Sequence, residues 1–414
     1  MKNNSRFAYV LTLLVTVLAS PFVLGEAQPR PTEFPPSPRP DDVCLTWSGD
    51  PCTTQTVQWR TAPEIAAGSV QYRKSDAPET ASLEVPAEAV RLEDALITNA
   101  PAVQHFTAKI TGLEPATAYL YRVGDKPDNT WSEWAPFSTA PRGRVPFSFL
   151  FFADVQNGVD VWGKMIHQMR DRNPKAAFCL TGGDFVNQGN NRAQWDELFH
   201  AADGVFDHYD ILPTVGNHEC NGGPGPKLYR ELFALPENGP DNVPKERDYT
   251  FRYGNALFIV LDGNILPAEQ RPWLEKQLAG TEATWKFVMF HQPAYSSDPG
   301  RDNRSVREQW CTLFDKYHVD MVFQGHDHAY LRTHPMNAEK IAASPAEGTI
   351  YVVADGGTKY YKQEQHDYTA AGFTNVSTYQ VINIDTDGGD KLSYRAYDAE
   401  GTVRDEVVID KAAK

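Results

Sequence analysis

One event recurs along this chain and constrains its fold more than any other feature. A short, almost wholly apolar run stops at a residue able to hold a cation. Phe147-Ser148-Phe149-Leu150-Phe151-Phe152-Ala153 stops at Asp154, with Gln156 just beyond. Ala176-Ala177-Phe178-Cys179-Leu180-Thr181 leads through Gly182-Gly183 to Asp184, then Asn187. Residues 209–215 lead through Gly216 to Asn217-His218-Glu219. Residues 286–290 stop at His291, and residues 320–324 at Gly325-His326-Asp327-His328. Further apolar runs lie at 256–261 and 349–354. Such runs suit strands buried on both faces. Amphipathic stretches at 159–172 and 192–202 read as helices between them, which predicts a sheet covered by helices. Beyond a strand's end, side chains stop packing inside the sheet and can converge on a ligand.

Carboxylates, amide oxygens and imidazoles together suit Mn, Fe or Zn. The donors suffice for two ions with one carboxylate shared. Gly183, Gly216 and Gly325 flank them and allow sharp turns and close approach of backbone to the site. An Asn-His pair in one loop would mean little, but five such strand ends in chain order mark a site. Cys220 follows directly and is either a ligand or a bystander.

The rest of the chain sets the context. In residues 1–25, Lys2 and Arg6 precede an apolar run, then Ser20-Pro21 and Gly25. That is the pattern of a secretory signal peptide, which predicts a secreted or periplasmic protein with no stable membrane insertion after cleavage. Residues 26–41 are rich in proline and read as a stiff, extended linker. Residues 42–141 carry short alternating runs separated by turn residues, the pattern of a small β-sandwich. Residues 145–414 hold the ligand-bearing runs and end in antiparallel strands. A net charge of −15 argues against a nucleic-acid partner, whose phosphates need Lys and Arg. It leaves room for a small phosphate ester bound through metal ions. The five cysteines form no dense framework. Cys44 and Cys52 are close enough in sequence to pair in an oxidising compartment. Cys179 and Cys311 read as buried thiols.

Asp154, Gly183-Asp184, Gly216-Asn217-His218-Glu219, His291 and Gly325-His326-Asp327-His328 together resemble the five-block signature of calcineurin-like metallophosphoesterases. They are most similar to the purple acid phosphatases, whose Gly-His-x-His-Ala-Tyr block resembles Gly325 to Tyr330 here. Val43-Cys44-Leu45-Thr46-Trp47-Ser48-Gly49-Asp50-Pro51 resembles the start of that group's fibronectin-like domain, and residues 113–123 resemble a tyrosine corner. The resemblance spans about residues 40–360. It implies an α+β, two-domain chain: an N-terminal fibronectin III-like β-sandwich, then a four-layer α/β/β/α metallophosphoesterase domain. It implies two divalent or trivalent ions (Fe, Mn or Zn). Asp184 would bridge them, Asp154 and His328 would bind the first, and Asn217, His291 and His326 the second. It implies an acid phosphatase-like, metal-dependent hydrolase that attacks phosphomonoesters with a metal-bridging hydroxide. His218 would hydrogen-bond the phosphate or protonate the leaving oxygen.

Three departures stand out. Asn187 occupies the place where purple acid phosphatases carry the tyrosine whose tyrosinate gives them their colour. Gln156 stands where many metallophosphoesterases have His and purple acid phosphatases Gly. Gln156 and Asn187 are thus candidates either for the first ion or for a supporting role. No further histidine follows His291 in the next loop, where Arg301 and Arg304 are candidates for the phosphate, with Tyr330 a third substrate candidate. Two other readings stay open: a phosphodiesterase for cyclic nucleotides or lipid head groups, and a non-catalytic secreted adhesion module with a structural metal. The complete ligand set weighs against the module. The loops at 224–244 and 296–304 are expected to select the leaving group.

Overall fold

The computed structural model describes residues 29–125, 130–221, 225–387 and 389–411. The expected signal peptide at 1–25 lies outside the described residues. No helix among the described residues is long and apolar enough to cross a membrane.

The N-terminal part is strands with one 3-10 turn at Glu79–Ala81: β1 (Asp41–Thr46), β2 (Thr54–Thr61), β3 (Ser69–Lys74), β4 (Leu83–Pro86), β5 (Glu88–Glu93), β6 (Ala102–Thr111), β7 (Ala118–Gly124) and β8 (Ala135–Ser138). Then β9 (Phe147–Phe152), α1 (Val159–Arg172), β10 (Phe178–Thr181), α2 (Arg192–Ala201) and β11 (Asp210–Pro213) alternate. After α3 (Lys227–Leu232) come β12 (Tyr249–Tyr253), β13 (Ala256–Val260), α4 (Pro267–Ala279) and β14 (Trp285–Met289). A helical segment at 304–317 precedes β15 (Met321–Gln324) and β16 (Tyr330–Thr333). The chain ends with β17 (Met336–Asn337), β18 (Lys340–Ile341), β19 (Ile350–Val353), β20 (Thr369–Phe373), β21 (Thr378–Asp385), β22 (Lys391–Asp398) and β23 (Val403–Asp410).

Two large sheets face each other, one of ten strands in the order β23-β22-β21-β9-β10-β11-β1-β2-β6-β5, the other of seven, β12-β13-β14-β15-β19-β16-β20. The two-residue period of a strand sorts the side chains into layers. Phe258, Phe287 and Phe323 point to the first sheet and pack on Phe149, with ring centroids 5.2, 5.3 and 5.8 Å away. Their neighbours Leu257, Ile259, Val288 and Val322 point the other way, into a core with Leu274 and Leu278 of α4 and Trp310 and Phe314 of the helical segment. On the far side, Phe152 meets Trp162 of α1 at 5.5 Å. The result is the four-layer α/β/β/α domain. Each buried Phe is worth about 1.5–3 kcal/mol in apolar burial, so the aromatic seam between the sheets holds the strand ends in register.

The N-terminal strands form a sandwich whose second sheet is β4-β3-β7-β8. Its corner is closed by Tyr119, whose hydroxyl accepts from the Glu114 N–H at 3.0 Å. The sandwich is not a separate bead. Leu45 of β1 lies opposite Asp210 of β11 in parallel register, and its N–H donates to the Phe206 carbonyl at 2.9 Å. One sandwich sheet therefore continues the sheet that carries β9, β10 and β11.

Two expectations are corrected here. Residues 29–40 are extended, as their prolines dictate, but they are not a free linker. Arg30 Nε donates to Asn191 Oδ1 at 2.9 Å, the Thr32 hydroxyl to Asp196 Oδ2 at 2.9 Å, and Phe34 stacks on His200 at 4.0 Å. The residues between the prolines dock the segment on α2. Cys44 and Cys52 are both unpaired. The Cys44 thiol lies against its neighbour Leu45's carbonyl and the Cys52 thiol against that of Pro141, at 3.7 and 3.8 Å.

Candidate metal centre

The parallel strands β9, β10 and β11 are neighbours in one sheet, and β14 and β15 in the other. Their C-terminal ends meet, which brings Asp154, Asp184, Asn217, His218, His291, His326 and His328 to one place. The turns that carry them are tight. Asp154, Asp184, His326 and His328 hold φ of 56°, 55°, 77° and 45°. Side chains rarely adopt this left-handed conformation, and it costs of order 1 kcal/mol or more each, which marks the loops as built for something other than stability. A Cβ on Gly216 would overlap the Asp184 carboxylate, and one on Gly325 the Asp154 carboxylate. Only glycine fits at either position.

Donors bound at about 2.1 Å to one ion, at angles of about 90–109°, lie about 3.0–3.4 Å apart. Around His291 Nε2 the spacings are of that order: 3.1 Å to Asp184 Oδ2, 3.2 Å to Asn217 Oδ1 and 3.1 Å to His326 Nδ1. The His291 Nδ1–H donates to the Gly182 carbonyl at 2.7 Å, which turns the Nε2 lone pair to the centre. A second set lies beside it. Gln156 Nε2 is 3.2 Å from His328 Nε2 and 3.4 Å from Asp184 Oδ2, and His328 Nε2 is 3.8 Å from Asp154 Oδ1. His328 Nδ1–H donates to the Lys359 carbonyl at 3.1 Å, so its Nε2 also faces inward. Asp184 Oδ2 belongs to both sets.

The electrostatics ask for cations. Asp154 Oδ2 accepts from the His326 N–H at 2.7 Å, but the buried Asp154 Oδ1 has no hydrogen-bond partner among the described residues, and neither has Gln156 Oε1. An orphaned buried carboxylate oxygen is costly unless an ion meets it. Without ions, burial pushes Asp154 well above the usual carboxylate range. For Asp184 burial acts the same way, but His291 overcomes it and holds the group down at about 2. Burial opposes a charge on His291, yet Asp184 and Asp154 push it up to about 10. A proton thus takes the place of missing positive charge. Burial holds His326 down at about 2, and burial with the Lys359 charge holds His328 at about 4, so both rings stay neutral and able to coordinate. The residues fit bound metal, most closely around Asp184, His291 and His326.

His218 stands at the open side, its side chain 22% exposed and its Nε2 3.9 Å from Asp184 Oδ2. Its Nδ1–H donates to the Asn187 carbonyl at 2.8 Å. The Asn187 side chain itself donates to the Gln156 carbonyl at 2.7 Å, so of the two amides it is Gln156 that the fold brings among the donors. Arg301 reaches the site but is committed: Nη1 pairs with the Asp327 carboxylate and Nη2 with Asp298 at 3.0 Å. Two substrate candidates are corrected. Arg304 has a side chain 78% exposed and pairs with Glu308. Tyr330 is buried, and its hydroxyl is held by Asp405 at 2.6 Å and Tyr394 at 3.0 Å, because β23 packs over it. Cys220 faces Arg247 at 3.8 Å, and burial pushes its thiol up to about 12, which disfavours the thiolate a metal would need.

Two acidic residues within the motif blocks have roles that residue type alone did not reveal. Glu219 accepts from the N–H groups of Asp184, Phe185 and Gly216 at 2.9, 2.8 and 2.7 Å. Asp327 accepts from the Ser296 hydroxyl and Ser297 N–H at 2.7 and 2.8 Å. Each fixes loops rather than offering itself to a ligand. Their position beside ligand residues was the available signal.

This geometry coincides with two family models, the purple acid phosphatase N-terminal domain over residues 40–139 and the calcineurin-like phosphoesterase over residues 147–330. The chain belongs to the calcineurin-like metallophosphoesterases. Within that superfamily it is similar to an uncharacterized protein of Mycobacterium tuberculosis, 27% identical over 76% of this chain and 68% of the other. It is likewise similar to the Fe(3+)-Zn(2+) purple acid phosphatase 12 of Arabidopsis thaliana, 27% identical over 87% of this chain and 81% of that one. The fold matches a purple acid phosphatase from yellow lupin seeds with a TM-score of 0.75 at 18% identity, covering 90% of this chain and 74% of that one. The metallophosphoesterase chain is accordingly a metal-dependent phosphoric ester hydrolase.

Proposed function

We propose that this protein is a secreted phosphomonoesterase that works with two metal ions, of Fe, Mn or Zn, on small phosphate esters. The observation that carries the reading is the pair of donor sets sharing Asp184 Oδ2. Asp154, Asp184 and His328 would hold one ion, and Asp184, Asn217, His291 and His326 the other. Turned over at its terminal bond, the Gln156 amide would add its oxygen to the first set. Ions held there supply Lewis acidity and an activated water for attack on phosphorus. The chain's own residues set everything else. His218 has Nδ1 fixed by Asn187, so its Nε2 is the atom that meets substrate; it accepts when the ring is neutral and donates when the ring is cationic. That suits either a phosphate contact or protonation of the leaving oxygen. The Arabidopsis relative's Fe–Zn pair supports a mixed pair here, while Asn187 removes the phenolate that would favour ferric iron. Secretion is supported by the basic, apolar and small-residue sequence of residues 1–25, and N-terminal mass analysis of exported protein tests it.

The function is tested by stripping the purified protein with chelator, reloading it separately with Mn, Zn and Fe, and comparing p-nitrophenyl phosphate with bis-p-nitrophenyl phosphate. Metal-dependent preference for the monoester, with two ions per chain, is the expected result. Diester preference would make it a phosphodiesterase. Silence with two ions bound would leave only a structural metal site.

A further inference from the structure

The loop after β19 wraps the first donor set. Gly356 N–H donates to the Ala153 carbonyl at 2.7 Å and Thr358 N–H to that of Asn157 at 2.9 Å, which ties the loop to the Asp154 turn. Tyr361 N–H donates to the His328 carbonyl at 3.1 Å, and the His328 ring donates back to the Lys359 carbonyl at 3.1 Å. The Tyr361 ring packs on the His328 ring at 4.6 Å. On this platform lies the Lys359 ammonium, 5.0 Å from the Tyr361 centroid. Lys359 is half-buried and makes no direct ion pair among the described residues; its charge acts on the buried Asp355 carboxyl of the same loop without a salt-bridge contact. The Arg301 guanidinium, which also reaches the site, is neutralised by Asp327 and Asp298. In a chain of net charge −15, an ammonium that makes no direct salt bridge and is held beside a metal-binding histidine is suited to receive an anion.

We propose that Lys359, positioned by Tyr361 and the 355–361 loop, binds the free end of the substrate phosphate and selects dianionic monoesters over monoanionic diesters. The proposal rests on the phosphomonoesterase reading for its substrate, but not for its test. A monoester carries about one more negative charge than a diester near neutral pH. A lysine within reach of the non-bridging oxygens would reward that charge with a charge-assisted hydrogen bond.

The test is calorimetric titration of the metal-loaded full chain with inorganic phosphate, in wild type, Lys359→Met and Lys359→Arg. The expected result is a Kd weakened about tenfold in Lys359→Met and restored to within about threefold in Lys359→Arg, at unchanged metal content. In turnover, KM for p-nitrophenyl phosphate should rise in parallel, while KM for bis-p-nitrophenyl phosphate moves less than about threefold. An unchanged phosphate Kd in Lys359→Met, absence of phosphate binding by the two-ion wild type, or equal losses for both esters would overturn the assignment. A wild type that binds phosphate but hydrolyses neither ester would defeat the phosphomonoesterase reading alone, and the Kd ratio would still decide the role of Lys359.

Discussion

The backbone N–H of Asp184 donates to Oε2 of Glu219 at 2.9 Å, and the same oxygen takes the N–H of Gly216 at 2.7 Å. Glu219 thereby clips the Asp184 turn to the Asn217 loop, the two segments that would hold both ions. Glu219→Gln turns an acceptor into an NH2 group that faces donors. It should cost about 1–3 kcal/mol of stability and weaken metal retention. Urea unfolding and metal content after dialysis against a weak chelator check this. Unchanged stability and retention would remove Glu219 from the support of the site.

Asp184 and His218 should fail differently. Asp184→Ala removes the shared oxygen of both donor sets, so it should lose metal as well as turnover, and stay inactive at matched metal occupancy. His218→Ala touches neither set and should keep both ions while kcat falls about 10²–10⁴-fold. Elemental analysis with kcat on the same samples separates the two. Equal activity in wild type and Asp184→Ala at matched occupancy would overturn the bridging role.

Much of this architecture was legible because burial is periodic. The helix read over 159–172 coincides with α1, whose Trp162, Met165, Ile166 and Met169 are buried at helical spacing. The strand-end residues were legible because glycines and ligand-type side chains interrupt apolar runs. What stayed hidden depends on contacts between distant segments. The exposed β4 and β5 alternate only over Leu83-Glu84-Val85 and Val90-Arg91-Leu92, too short a run to announce a strand. The seam between β1 and β11 is a register between strands far apart in the chain. The Lys359 loop has no motif of its own, and bonds to distant residues, Ala153, Asn157 and His328 among them, place it. Tyr330 belongs to a ligand block by sequence, yet Asp405, far downstream, takes its hydroxyl.

The iron-loaded protein should lack a strong visible charge-transfer band. Asn187 stands in the tyrosine position, and its side chain donates to the Gln156 carbonyl at 2.7 Å. An absorption spectrum of iron-loaded protein checks this. A strong band would require another phenolate on iron, and Tyr361, packed on His328, would be the residue to replace.

Tyr330 should matter to stability and not to substrate. Tyr330→Phe removes hydroxyl bonds to Asp405 and Tyr394, while Arg332 still pairs with Asp405 at 2.6 Å. A loss of about 1–2 kcal/mol with KM unchanged is expected. Arg304→Ala should change neither. A raised KM in either variant would return that residue to the substrate site.

The seam that joins the sandwich to the catalytic sheet should respond to pH. Asp210 sits there opposite Leu45, 3% exposed, with one oxygen accepting from the Gln55 amide at 2.6 Å. Burial pushes its carboxyl up to about 8, although the Gln55 hydrogen bond favours the charged form. The unfolded chain releases this proton near the ordinary aspartate value of about 4. Between those values the folded state binds the extra proton, so the contribution of Asp210 to stability is full below about pH 4 and declines as pH rises to about 8. Asp210→Asn keeps an acceptor for Gln55 and has no proton to lose. Its Tm relative to wild type should therefore climb from pH 5 to pH 9. A difference that stays constant across that range would mean that Asp210 is ionised in the folded protein throughout, with the seam holding a buried charge instead of a proton.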